Sequence, residues 1–166
     1  MEPMVRDTVV AALESNLRHI ERVIARLDDA RATTRPAPNG WSPLDALEHL
    51  VAVERGVHRA VTGAAGAEPT ALRTRELDPV VAGAGVVTRT LEAPEQVAPK
   101  GRFASIGEAM VVFRERRLTT LSLARTLDVP WESHHAPHPI LGMMDIGQWF
   151  LLAATHGERH GPQMEV

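Results

Sequence analysis

The chain has 166 residues, a formal net charge of −3, and 44% hydrophobic against 23% charged residues. That is enough for a single domain, residues 1–166, with a core of its own, and nothing in it resembles the Lys/Arg stripe on which nucleic-acid binding depends. Cysteine is absent, which excludes disulfides, a thiol nucleophile and thiolate metal ligands and leaves His, Asp, Glu and water to hold any metal ion.

In chain order, Val9, Leu13, Leu17, Ile20, Ile24 and Leu27 recur at three- and four-residue steps with Arg and Glu between them. This spacing predicts a long amphipathic helix that ends before Pro36. Trp41-Ser42-Pro43-Leu44-Asp45 reads as a helix start: Ser42 caps, Pro43 suits the first helical position, and Asp45 reaches back to the cap. The second helix should run to about Gly63, with Leu44, Leu47, Leu50, Val51, Val57 and Val61 on its apolar face. Residues 64–104, rich in Gly and Pro, read as connections, with a short helical or extended piece over Val80–Leu91. Ser105-Ile106-Gly107-Glu108 matches a capping box and opens a third helix over about 106–127. Met110, Phe113, Leu118, Leu121 and Leu127 are its apolar residues. Residues 128–143 read as a Pro- and His-rich loop. Asp145 and Gln148 resemble a cap and its partner before a last helix that starts at Ile146. The expected architecture is an all-α four-helix bundle with long connections.

No apolar run reaches the roughly 20 residues that cross a bilayer. The N-terminal residues carry acids early and no apolar signal segment. The expected setting is the cytoplasm, without membrane or nucleic-acid partners.

His156-Gly157-Glu158-Arg159-His160 is the sharpest local signal. Residues four apart on a helix share a face, so two imidazoles there can reach one ion. His156 also lies on the face of Trp149, Leu152 and Ala153 and should point inward, where an imidazole needs a partner. Hydrogen bonds, water or a metal would all serve. His49 falls at the edge of the apolar arc of the second helix, beside Ala46, Val53, Gly56 and Ala60. By itself it reads as a boundary residue half in water. His134, His135 and His138 read as solvated loop residues rimming the site, and His19 and His58 as packing or surface residues. Trp41, Trp131 and Trp149 read as core or cavity wall. Glu48 and Glu158 read as solvated charge, with support of the neighbouring histidines as the alternative. Gly157 and Gly161 weaken the last helix, and Pro162 predicts that it kinks or stops near His160.

Trp41-Ser42-Pro43-Leu44-Asp45-Ala46-Leu47-Glu48-His49-Leu50 resembles the W-S-x-x-[ED]-x-x-x-H-L signature of the DinB/YfiT-like family. His138-Pro139-Ile140-Leu141-Gly142 and the later His156-x-x-x-His160-x-x-Gln163 resemble that family's H-P-x-x-G loop and final-helix motif. The two regions lie about a hundred residues apart in the family's order, which makes them jointly far more specific than either alone.

The resemblance implies an up-down-down-up bundle, a homodimer, and one divalent metal site formed by His49, His156 and His160, with zinc or nickel as the ion. Three protein ligands with open positions make the pattern of a catalytic site. By resemblance the activity is that of a metal-dependent enzyme, either a thiol S-transferase using a low-molecular-weight thiol or a hydrolase acting on a small molecule. The alternative is a non-catalytic metal- or ligand-binding bundle of a stress response. No catalytic base is identifiable beyond the metal.

Overall fold

Residues 6–82 and 94–165 are described by the computed structural model. In chain order they form α1 (Arg6–Ile24), the single turn α2 (Asp29–Ala32), α3 (Pro43–Gly66), the single turn α4 (Asp78–Val81), α5 (Ile106–Thr126), the hairpin strands β1 (His135–His138) and β2 (Gly142–Asp145), and α6 (Ile146–Met164). None of these helices is long and apolar enough to cross a membrane.

The caps form as the sequence predicts. Ser42 Oγ accepts from Asp45 N–H at 3.1 Å while the Asp45 carboxylate accepts from Ser42 N–H at 3.0 Å. Asp145 and Gln148 bond reciprocally at 2.8 and 2.9 Å. Ser105 caps Glu108 N–H, but the Glu108 carboxylate reaches past the cap to Ala104 N–H. Each cap satisfies amide donors that the first helical turn leaves without partners.

Four long helices pack α1 and α3 each against both α5 and α6. Their directions follow from cross-helix pairs. Arg6 donates to the carbonyls of Ala124 and Leu127, and Arg114 bonds Glu21, so α1 and α5 are antiparallel. Glu54 meets Arg117 and His58 meets Thr120, so α3 and α5 run parallel. Asn16 faces Gly157 and His19 pairs with Glu165, so α1 and α6 run parallel. The bundle is therefore up-down-down-up.

The core follows the predicted apolar faces, with Val9, Leu13 and Ile20 of α1, Leu47, Leu50 and Val61 of α3, and Phe113 and Leu121 of α5 buried. Leu118 departs from the expectation and is exposed. Arg117 occupies the interior position instead, fully buried among all four long helices. It bonds Glu54, Asn16 and the carbonyls of Leu13 and Ala153. Glu54 also accepts from Thr120 Oγ at 2.5 Å, and Thr120 Oγ in turn contacts His58. A buried charge is tolerable only when paired and hydrogen-bonded in this way.

The first helix ends before Pro36 as expected, already at Ile24, and Asp28 caps the separate turn α2 by accepting from Arg31 N–H at 2.8 Å. Two other expectations are corrected. The stretch 128–143 contains the strands β1 and the start of β2, paired antiparallel with His135 opposite Asp145 and His138 opposite Gly142. Four-residue strands, one holding Pro137 and followed by Pro139 in the turn, show no legible alternation. Pro162 does not end α6, which continues to Met164. A proline in the last turn removes one backbone bond, and the fully buried Met164 holds that turn to the core. The piece expected over Val80–Leu91 lies mostly outside the described residues; within them, Val81 ends α4.

Candidate metal centre

His49 lies two turns into α3, and His156 and His160 lie one turn apart near the end of α6. Because α3 and α6 pack together with opposed directions, the start of one meets the end of the other. The three imidazoles converge there, with one nitrogen from each within 4.8 Å of the other two. Ring centroids are separated by 4.6 Å for His49–His160, 5.5 Å for His49–His156 and 5.4 Å for His156–His160.

Two of the rings are oriented from outside the cluster. His49 Nδ1 lies 2.7 Å from the Val97 carbonyl oxygen. A carbonyl only accepts, so Nδ1 carries the proton and Nε2 keeps its lone pair. His160 Nδ1 donates in the same manner to Gln163 Oε1 at 2.5 Å, which again leaves Nε2 free. Metal-binding imidazoles are held by such bonds, which fix tautomer and ring angle. Trp41 closes the outer side, its ring 4.9 Å from that of His49 and stacked at 5.6 Å on that of His160.

Burial disfavours the imidazolium form. It is the largest cause of the depressed pKa of His49, about 4, and of His156, about 3, and proximity to His160 lowers both further. His160 is also lowered by burial, partly opposed by its bond to Gln163. Near pH 7 the cluster offers three neutral nitrogen donors, the state a divalent ion requires. The donor number, the donor type and the two tied-down Nδ1 atoms fit a divalent metal ion.

Glu48 is corrected. It is 3% exposed and accepts backbone N–H bonds from Lys100, Gly101 and Arg102 at 2.9, 3.1 and 3.2 Å. It thereby anchors the segment that follows Val97, whose carbonyl orients His49. Neither the Val97 carbonyl nor this anchoring has a side-chain signature a sequence could reveal. Glu158 is exposed, as expected. His134 and His135 are also corrected: both are buried in the hairpin region, with His134 Nδ1 at 2.8 Å from the Pro130 carbonyl and His135 Nδ1 at 3.1 Å from Thr70 Oγ. His138 is half-buried, accepts from Ile140 and Leu141 N–H, and lies against Trp149.

A cavity of about 630 Å³ opens from the three imidazoles. It runs along α3 past Val53, Gly56, Ala60 and Ala64 to β1, with Trp149 and Leu152 of α6 on the facing wall. Gly56 and Gly63 are open to it, with no atom within 4 Å of where a Cβ would stand. Gly157, by contrast, is required by close packing, because a Cβ there would overlap the Asn16 carboxamide. Sequence reasoning missed Arg59 and Arg159 at the cavity edge.

The fold is shared with solved structures. One is TT2238, a four-helix bundle protein, with a TM-score of 0.65 and 19% identity over 95% of this chain and 96% of that one. Another is YfiT from Bacillus subtilis, described as a probable metal-dependent hydrolase with an unusual four-helix bundle topology. It aligns at a TM-score of 0.68 and 15% identity over 99% of this chain and 86% of that one. No curated protein matches the sequence. The family model of the DinB superfamily matches residues 12–164, and the chain belongs to that superfamily.

Proposed function

We propose that this protein is a metal-dependent enzyme acting on a small molecule, with His49, His156 and His160 holding one zinc or nickel ion. The observation that carries the reading is the convergence of three neutral imidazoles, His49 buried and His156 and His160 half-buried, from opposed helices at one end of a ligand-sized cavity. A divalent ion held there supplies Lewis acidity that activates a nucleophile at neutral pH. The chain's own part is to orient and to shield. Val97 and Gln163 set the His49 and His160 rings, Trp41 covers the cluster, and the apolar walls hold the substrate's body against it.

Among the described residues lining the cavity there is no Asp or Glu. This supports chemistry whose nucleophile arrives from outside the chain, such as transfer of a low-molecular-weight thiol to an electrophilic carbon. Hydrolysis is the second reading, supported by the likeness to YfiT. A non-catalytic holding site fits less well, because three protein ligands beside a cavity leave positions open to a reactant.

The test is elemental analysis of protein purified without a histidine tag, beside His49→Ala. The expected result is one zinc or nickel ion per wild-type chain and loss of that ion in the variant, together with thiol-dependent consumption of a chloroaromatic or epoxide by the loaded wild type. A wild type that takes up neither ion, even when offered in excess, overturns the metal reading. A loaded protein inert to a broad thiol panel overturns the transferase reading alone.

A further inference from the structure

The cavity is electrically one-sided. Its described lining holds two arginines, Arg59 and Arg159, and no carboxylate, although the whole chain carries a net charge of −3. Both side chains are exposed, and neither guanidinium makes a hydrogen bond or ion pair to any described residue. The two cations sit at different places. Arg159 belongs to the imidazole end, where its charge helps depress all three histidines. Arg59 lies ten residues along α3 from His49, about 15 Å up the helix axis. Helical side chains lean towards the N-terminus, which brings its guanidinium back towards the imidazoles.

Between these points the helix face is stripped of bulk. Gly56 and Ala60 follow Val53 at helical spacing, and Trp149 and Leu152 face them. The result is an apolar channel with the imidazole cluster at one end and, beside its length, a cation without a partner among the described residues. An uncompensated guanidinium at the edge of an apolar cavity is a recognition element for an anion.

We infer that the substrate class of this site is an extended apolar monoanion, such as a medium-chain or arylalkyl carboxylate, with its charged end on Arg59, its body on Gly56, Ala60, Trp149 and Leu152, and its reacting end at the three histidines. The inference rests on the reading of the cavity as a substrate site, but Arg59 acts without the metal and can be tested without it.

Calorimetry on the chelator-treated full-length protein supplies the test, with decanoate as the probe and 1-decanol as its uncharged counterpart. Decanoate is expected to bind wild type more tightly than decanol. Arg59→Gln should weaken decanoate about tenfold, the scale of one lost charge-assisted hydrogen bond, and leave decanol unchanged. Gly56→Leu, placed where a side chain has open space, should block both ligands while keeping the wild-type melting temperature or raising it. Decanoate that binds Arg59→Gln as well as wild type, binds no better than decanol, or does not bind at all overturns the inference. Zinc uptake when the same chelator-treated protein is afterwards offered zinc separates the two readings. Zinc bound without decanoate removes only the ligand class, and Arg59-dependent decanoate binding without zinc removes only the metal.

Discussion

His49 Nδ1 and the carbonyl oxygen of Val97 are 2.7 Å apart, and this one bond ties the α3 histidine to a segment almost fifty residues later in the chain. It fixes the ring so that Nε2 is the donor left for the cluster. Glu48, the preceding residue, holds the other side of the same segment through the amides of residues 100–102. One turn of α3 thus supplies both a candidate ligand and the anchor for the group that orients it.

Gln163 does the corresponding work for His160. Gln163→Leu is expected to weaken zinc binding about 10- to 100-fold, the usual cost of removing an orienting partner, with little change in fold. Competition against a chromogenic chelator measures it, and an unchanged zinc affinity would remove the orienting role.

Glu54→Gln should destabilise the bundle by about 3–5 kcal/mol, because it leaves the buried Arg117 guanidinium without its counter-charge. Urea unfolding at neutral pH reads this directly. A loss below about 1 kcal/mol would place the pair in the class of exposed bridges, which contribute little.

Gly157→Ala sets two effects against each other. Alanine is favoured over glycine in a helix by about 1 kcal/mol, yet its Cβ would overlap Asn16, and overpacking of a tight core costs about 1–3 kcal/mol. The contact should win, so the variant is expected to melt lower than wild type. A higher melting temperature would show that α1 and α6 can move apart at this point.

The metal-free protein should lose stability in acid. His49 and His156 titrate at about 4 and about 3 when folded, against about 6.5 for histidine in an unfolded chain. Between those values the unfolded chain binds more protons than the folded one, so stability falls as pH drops from about 6.5 and levels off above it. His156→Gln removes one of the two groups, and its melting temperature should fall less steeply over that range than that of wild type. Parallel profiles for the two proteins would contradict the burial of a neutral His156.

The sequence by itself determined the four long helices and their caps. Periodicity of apolar residues and the pairs Ser42/Asp45 and Asp145/Gln148 are local properties, fixed by 3.6-residue geometry and by amides that need partners. It also determined which histidines could share a face, since His156 and His160 are neighbours on any helix that contains them. His49 reads from its own surroundings as a boundary residue and is joined to them in sequence only through the family resemblance; the tertiary structure brings it there, by laying α3 and α6 side by side with opposed directions. The same holds for Arg117, which reads as one surface charge among many until Glu54, Asn16 and two carbonyls surround it, and for Glu48, whose partners are backbone amides without a sequence signature. The hairpin at 135–145 and the helix running through Pro162 were likewise settled by contacts. Short strands and a last turn have little intrinsic preference, and distant neighbours such as Thr70 beside His135 and the buried site of Met164 hold them in place.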